Sequence, residues 1–244
     1  MKKILLVALS MILVLGVVGC NKKPEPVEPE TTVGPTGGLA GGWQINMDNS
    51  LDSMPQEAAS AWCGAMEGIT GAEYVPVAVI GTQVVAGTNY MFLARKTTVT
   101  KEPVVSLAAV VAYFDIQGGS KLVSIKDLDL GALTSKENSG TDPETGLAGG
   151  WTAFEEMDKM ADVTDEEKAT FEKALDGMVG VGYTPVTILG TQVVAGENIA
   201  YLAKGTTVTA EPVTNAYVVS VYKDLEGGAS VNNICVLNLA DLTE

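Results

Sequence analysis

The chain contains no histidine among its 244 residues. This absence excludes Ser-His-Asp triads, Cys-His dyads and imidazole metal sites, and it removes the commonest general base of enzymes. No Asp or Glu stands in a distinctive spacing that recurs along the chain, so the acids are interpreted as a solvated surface. We therefore expect no enzymatic activity, no catalytic residue, no metal and no cofactor.

Basic residues and cysteines are also scarce. Fifteen Lys and Arg stand against 30 Asp and Glu, and the net charge of −15 makes nucleic acid a poor partner. Besides Cys20, the only cysteines are Cys63 and Cys235, which allow at most one intrachain disulfide. Two unpaired thiols are favoured over that bridge, because small exported domains that need disulfides usually carry several.

The N-terminus has the composition of an export signal. Lys2 and Lys3 precede an apolar run that ends in Gly19-Cys20, which predicts a signal peptide over residues 1–19. The run is too short to predict a membrane span. Because Val17-Val18-Gly19-Cys20 fits a bacterial lipobox, we expect Cys20 to be lipidated. The alternative is a chance cysteine after an ordinary cleavable signal. A lipid at Cys20 would make the chain an exported, membrane-anchored lipoprotein at the bacterial cell surface or envelope.

The rest of the chain is a tandem duplication. Gly38–Trp43 returns letter for letter as Gly146–Trp151, and Gln83–Gly87 returns as Gln192–Gly196, 109 positions later. A period of this size is a whole domain.

The domain boundaries follow from the repeats and from composition. We expect a Pro/Glu-rich linker over 20–37, a first domain over 38–133, a polar linker over 134–145 and a second domain over 146–244. The polar linker would leave the two domains free to reorient.

Each repeat predicts one helix followed by four strands. Helical spacing is found at Trp62, Ala65, Met66 and Ile69 and again at Phe171, Ala174, Leu175 and Met178. Capping-box spacing predicts helix starts at Ser53 with Gln56 and at Thr164 with Glu167. Runs rich in Val, Thr, Tyr and Ile predict the strands. These runs are Tyr74–Val85, Thr88–Val99, Val104–Ile116, Leu122–Leu130, Tyr183–Val194, Glu197–Val208, Val213–Leu225 and Val231–Leu239.

The repeated pentapeptide resembles the Q-x-V-x-G loop of the cystatins. Thr88-Asn89-Tyr90 after the first copy is similar to the stefin branch of these cysteine-protease inhibitors. The resemblance implies an α+β fold of two cystatin-like domains, each with one α-helix packed on a curved four- to five-stranded antiparallel sheet. It also implies reversible, noncovalent inhibition of papain-like cysteine proteases by a wedge that blocks the active-site cleft.

That wedge would combine a glycine trunk with the pentapeptide loop. The protease-binding residues implied by the resemblance are Gly41, Gly42, Gln83, Val84, Val85, Ala86, Gly87, Gly149, Gly150, Gln192, Val193, Val194, Ala195 and Gly196. A bulky residue at Gly87 or Gly196 is expected to weaken inhibition and to leave the fold largely intact. The second copy carries Glu197 beside its loop, so the first repeat is the better candidate.

The second hairpin of each repeat departs from the cystatin pattern. Many cystatins carry Pro-Trp there, whereas these tips read Gln117–Ser120 and Glu226–Ala229. Loss of an aromatic anchor costs about 2 kcal/mol, which implies weaker binding or a different selectivity. The alternative function is a cell-surface cystatin-like protein-binding or adhesion module that blocks no protease.

Overall fold

The computed structural model describes residues 41–47, 54–135, 150–153 and 163–243. The predicted signal peptide, Cys20, the 20–37 linker, Gly149 and most of the 134–145 linker lie outside these ranges. The residues in the described ranges all belong to one compact unit. No helix within the described ranges has the length and apolar character needed to cross a membrane.

Both repeats have the same order of elements. The first contains β1 (Trp43–Ile45), α1 (Gln56–Met66), β2 (Ala72–Val85), β3 (Gly87–Thr98), β4 (Val105–Phe114), β5 (Ser120–Leu128) and α2 (Leu130–Thr134). The second contains β6 (Thr152–Ala153), α3 (Asp165–Ala174), β7 (Val181–Val194), β8 (Gly196–Thr207), β9 (Thr214–Lys223), β10 (Ala229–Leu237) and a 3-10 helix (Leu239–Leu242). The eight predicted strands are present, each with its ends within a few residues of the prediction.

The strands form two five-stranded antiparallel sheets in simple meander order. The first sheet runs β1-β2-β3-β4-β5 and the second runs β6-β7-β8-β9-β10. In such a meander the β2–β3 and β4–β5 connections lie at one end of the sheet, and the β3–β4 connection lies at the other. We call the former the hairpin end and the latter the far end, and we use both terms for each repeat.

The predicted fold class, α+β with two cystatin-like domains of one helix on one curved sheet, is wrong. Among the described residues far more lie in strands than in helices, so the fold is β-rich. The reason lies in the central strands, which are apolar on both faces. Met91 and Leu93 are buried in a core that both repeats share, while Phe92 and Ala94 are buried on the opposite face of β3. A sheet that is apolar on both faces needs a layer on each side, and the second sheet supplies one of them.

The short helices cover only the outer faces. In the first repeat α1 packs Trp62 edge-to-face against Phe92, with ring centroids 5.0 Å apart. In the second repeat Phe171 of α3 packs in the same way against Tyr201, at 5.0 Å. Ile69 and Met178, predicted on the apolar helix faces, lie beyond the helix ends.

The two predicted helix caps have different outcomes. The predicted capping box of Thr164 and Glu167 is confirmed. At α1 the N-cap is Pro55, which makes no side-chain cap, and Ser53 lies outside the described residues. Cys63 and Cys235 are free thiols, as predicted.

The last segment of each repeat packs against the sheet of the other repeat across the shared core. Leu239 of the second repeat lies against Gly81 of β2, and Leu130 of the first repeat lies against Gly190 of β7. Both leucines are buried. This mutual insertion couples the sheets, so the expectation of freely reorienting domains is wrong for the described parts of the repeats.

The exchange also fixes the direction of the two sheets. Val105, Leu128 and Leu130 at the far end of the first sheet line a cleft together with Trp151 and Gln192, which belong to the hairpin end of the second sheet. Leu239, which follows the far end of the second sheet, reaches β2 beside Trp43. The two hairpin ends therefore lie at opposite ends of the sandwich.

Candidate functional site

The first copy of the pentapeptide forms the tip of a long hairpin. Val85 pairs with Gly87 across the ribbon, which leaves Ala86 alone at the turn. The side chains of Val84 and Val85 are 63% and 42% exposed. Further along the same strands, Val79 and Phe92 are fully buried. The hairpin thus presents apolar side chains to solvent from a strand pair whose base is held in the core.

The second copy has the same geometry. Val194 pairs with Gly196 across the turn at Ala195. Val193 is 75% exposed and Val194 is 41% exposed. Identical local structure at the two hairpins follows from identical sequence in equivalent strand registers.

Gln83 joins three segments of the first hairpin end. Its Nε2 donates a hydrogen bond to the carbonyl oxygen of Gly41, and its Oε1 accepts one from Asn89 Nδ2 at 2.7 Å. In the second repeat Gln192 Oε1 accepts from Asn198 Nδ2 at 2.7 Å. The glutamine therefore holds the glycine trunk beside the hairpin, and it has a structural reason to be present in both copies.

Gly87 has a conformation and a packing that other residues fit poorly. Its φ is +129°, in the region that favours glycine. A Cβ here would collide with the carbonyl oxygen of Phe114 and would lie 2.8 Å from the ring of Tyr113. Gly196 has the same surroundings, with Lys223 and Tyr222 as neighbours. The expectation that bulky residues at these glycines would leave the fold largely intact is therefore wrong.

A tyrosine supports each hairpin tip. The hydroxyl of Tyr113 donates a hydrogen bond to the carbonyl oxygen of Ala86, and Tyr222 does the same to Ala195. Sequence reasoning missed both tyrosines and Asn198, and it named Asn89 only as part of the resemblance. The signal was available, because both types recur at the 109-residue offset.

The glycine trunks are open to an approaching molecule. Gly41 and Gly42 are exposed and lie directly before β1. Gly150 is also exposed, and its partner in the prediction, Gly149, lies outside the described residues. A Cβ added at Gly41 or Gly150 would meet nothing within 4 Å. At these positions the backbone itself is accessible.

The second hairpin brings a further apolar side chain to the same end. Its turn is fixed by Asp115 Oδ1, which accepts hydrogen bonds from the backbone amides of Gln117 at 2.7 Å and Gly119 at 2.9 Å. This turn leaves Ile116 88% exposed, and Leu225 of the second repeat is 86% exposed. Sequence reasoning assigned both residues to strand ends and missed their exposure. Ile116 supplies apolar surface at the hairpin where the predicted wedge lacked an aromatic anchor.

An open cleft of about 350 Å³ lies between the sheets, next to the second trunk. Its lining combines apolar side chains from the far end of the first repeat with Gly150, Trp151 and Gln192. Within the ranges that the structure covers, no group of three or more Cys, Asp and Glu side chains is placed to hold a metal ion.

No protein-family model matches the chain, and no curated protein matches it either. A proposal about function therefore depends on the hairpin ends themselves and on their short resemblance to the cystatin loop.

Proposed function

We propose that the chain is a reversible, noncovalent inhibitor of papain-like cysteine proteases that acts through its hairpin ends. The observation that carries this proposal is the exposure of Val84, Val85 and Ile116 at the tips of two anchored hairpins, at the same end of the sheet as an open glycine trunk. Such tips can fill an apolar cleft without offering a scissile bond in an attackable position.

The exposed valines would supply most of the binding free energy. Burying a fully exposed Val side chain contributes about 1.5–3 kcal/mol, and roughly half of that is left to gain at Val84 and Val85, which are 63% and 42% exposed. Because the first hairpin tip is already held by Gln83 and Tyr113, and the second by Gln192 and Tyr222, little conformational entropy would be lost on binding. The contact residues within the pentapeptide would then be Val84, Val85 and Ala86, whereas Gln83 and Gly87 would shape the loop.

Two enzymes would bind one chain. The hairpin ends lie at opposite ends of the sandwich, so a protease on the first would not meet a protease on the second. This arrangement favours two separate targets over two sites on one multimeric target, because rigid, oppositely directed ends cannot engage a single face together.

A second candidate is a protein-binding or adhesion module that inhibits no protease. It is favoured by the structural roles of Gln83 and Gly87, which account for their presence in both repeats without any protease. The same exposed valines would then bind another protein surface.

We also propose export and lipid anchoring at Cys20, on the sequence pattern alone. Mass spectrometry of the chain extracted from the membrane of a bacterial expression host would detect a diacylglyceryl group on an N-terminal Cys20. An unmodified mature N-terminus, or a retained signal segment, would contradict this part of the proposal.

The function is tested by charge substitutions at the two hairpin tips, with a control at the far end of the first sheet. Val84→Asp together with Val193→Asp is expected to raise the inhibition constant for a papain-like protease more than about tenfold, since a carboxylate cannot be buried where Val was. The matched control is Val99→Asp, at a valine that is 72% exposed at the far end, which should change nothing.

The outcomes separate the two candidates. Inhibition that is unchanged by the paired substitution would contradict the assigned hairpins. The binding module would be favoured if the unaltered chain neither bound nor inhibited a protease and the Val84→Asp, Val193→Asp variant lost binding to another surface partner.

A further inference from the structure

The two hairpin ends differ in charge although their tips are identical. In the first repeat, Lys121 at the start of β5 is in register with Tyr113 of β4. Its ammonium lies over the tyrosine ring, 5.2 Å from the centroid. The same ring carries the hydroxyl that supports Ala86. An exposed cation is therefore held one side chain away from the tip of the first hairpin.

This cation has no carboxylate partner among the described residues, and its side chain is exposed. A cation placed on an aromatic face is positioned without being neutralised. Lys121 thus remains available to a charged group on a bound molecule.

Among the described residues, no cation lies over the tyrosine ring of the second hairpin end. Ser230 takes the position of Lys121, in register with Tyr222. Two ammonium groups at this end already have partners. Lys223 pairs with Glu166 at 2.9 Å and is in register with Glu197, and Lys173 Nζ donates a hydrogen bond to the carbonyl oxygen of Gly227 at 2.8 Å. The hydrogen bond to Glu166 raises the pKa of Lys223, and the same contact lowers the pKa of the Glu166 carboxyl. At the first end, Thr88 and Phe114 replace the Glu197 and Lys223 pair.

We infer that Lys121, held on Tyr113, is a specificity-determining residue that makes the first hairpin end select a protein surface with carboxylates beside an apolar groove. This inference deepens the proposed function, because it names the charge of the partner at one end. The second end, where Ser230 stands, Lys223 is paired with Glu166 and Lys173 is bound to the Gly227 carbonyl, does not share the preference. One chain would then hold two partners of different surface charge.

The test follows backbone amide shifts in the full chain by NMR, with two capped peptides as probes. One is acidic and apolar, Glu-Leu-Glu-Leu-Glu, and the other is its lysine counterpart, Lys-Leu-Lys-Leu-Lys. At low salt the acidic peptide is expected to shift the amide of Gly87 more than that of Gly196. A surface charge contact contributes up to about fivefold in affinity, and salt should remove the difference.

Three variants decide the assignment. Lys121→Ser should abolish the preference of the first end, and Ser230→Lys should create it at the second. Lys101→Ser removes the same charge from the far end and should leave the peptide response of both hairpin ends unchanged. An acidic-peptide preference that survives Lys121→Ser, or no shift at Gly87 with the acidic peptide at low salt, would overturn the inference. Because no protease is involved, this result is independent of whether the chain inhibits one.

Discussion

The mutual insertion of Leu239 and Leu130 predicts a specific energetic coupling between the two repeats. Leu239 is buried at 3% exposure, and its Cδ1 occupies the place where a Cβ on Gly81 would be. Leu239→Ala should cost about 2–5 kcal/mol, because it removes buried methyl groups and leaves a cavity. Gly81→Ala should cost about 1–3 kcal/mol, because the added methyl overpacks the same site.

The two substitutions together should cost less than their sum. When Leu239 is shortened, the methyl of Gly81→Ala enters the space that is left, and its remaining neighbours are Gln44 O at 3.2 Å and Trp43 Cε3 at 3.4 Å. These contacts are tight but can relax. The double-mutant cycle should therefore give a favourable coupling of about 1–2 kcal/mol.

The symmetry-related pair provides the control. A Cβ on Gly190 would lie 2.8 Å from Leu130 Cδ1, but it would also collide with the backbone carbonyl of Thr152. Shortening Leu130 relieves only the first of these contacts. Leu130→Ala with Gly190→Ala should consequently show a clearly smaller coupling than the Leu239 and Gly81 pair.

The assay is guanidinium unfolding followed by far-UV circular dichroism and by tryptophan fluorescence. Trp43 and Trp62 report on the first repeat and Trp151 on the second, so both repeats contribute to the signal. A shared core predicts one transition, with coincident midpoints by both probes and a lower midpoint in Leu239→Ala. Two separate transitions, with Leu239→Ala lowering the midpoint of the second repeat alone, would refute the coupled core. Single-substitution costs that sum to the cost of the double substitution within about 0.5 kcal/mol would refute it as well.

Three further predictions concern single side chains. Gly118→Ala should lower the free energy of unfolding by roughly 1 kcal/mol, because of its positive φ alone. Gly87→Ala should lower it by about 1–3 kcal/mol more, because the added methyl also meets a carbonyl oxygen. Equal losses for the two variants in urea unfolding would contradict this. Tyr113→Phe should cost about 0.5–1.5 kcal/mol and speed amide exchange at the tip; unchanged exchange would argue against the support of Ala86. Burial and the hydrogen bond to Glu57 raise the pKa of Tyr90 to about 12. The protonated Tyr90 hydroxyl therefore contributes fully to stability below about pH 10, and this contribution is lost as the pH rises toward 12. Tyr90→Phe should lose less stability over that interval than the unaltered chain, and parallel curves would count against the assignment.

Sequence patterns predicted the local elements because those depend on neighbouring residues. Residue types identified the strands, and the Thr164 capping box was confirmed by its own two hydrogen bonds. The spacing of the repeats also located both hairpins. Each of these features is fixed within a few residues of chain.

The arrangement of layers was missed because the prediction placed only one layer, a helix, against each sheet. Val77, Ala78, Val79 and Ile80 are all buried. A run without alternation predicts a strand covered on both faces, yet one short helix can cover only one. The exchange of Leu130 and Leu239 joins residues far apart in the chain, and no local pattern predicts it.

At the site, the sequence located the residues but not their roles. The pentapeptide drew attention to Gln83 and Gly87, and the structure gives both a structural role through Gly41 and Phe114. Ile116 was assigned to a strand, whereas the Asp115 turn exposes it. Which side chain is exposed at a turn depends on the backbone of that turn, and residue type alone does not determine it.

The measurement that tests the proposed inhibition most directly is a titration of an active-site-calibrated papain-like protease with the chain. Residual activity is followed against the ratio of chain to enzyme, at enzyme concentrations well above the inhibition constant. Two oppositely directed hairpin ends predict a reversible loss of activity with an endpoint of two enzyme molecules per chain. Full activity at micromolar chain across several such proteases would contradict the proposed inhibition.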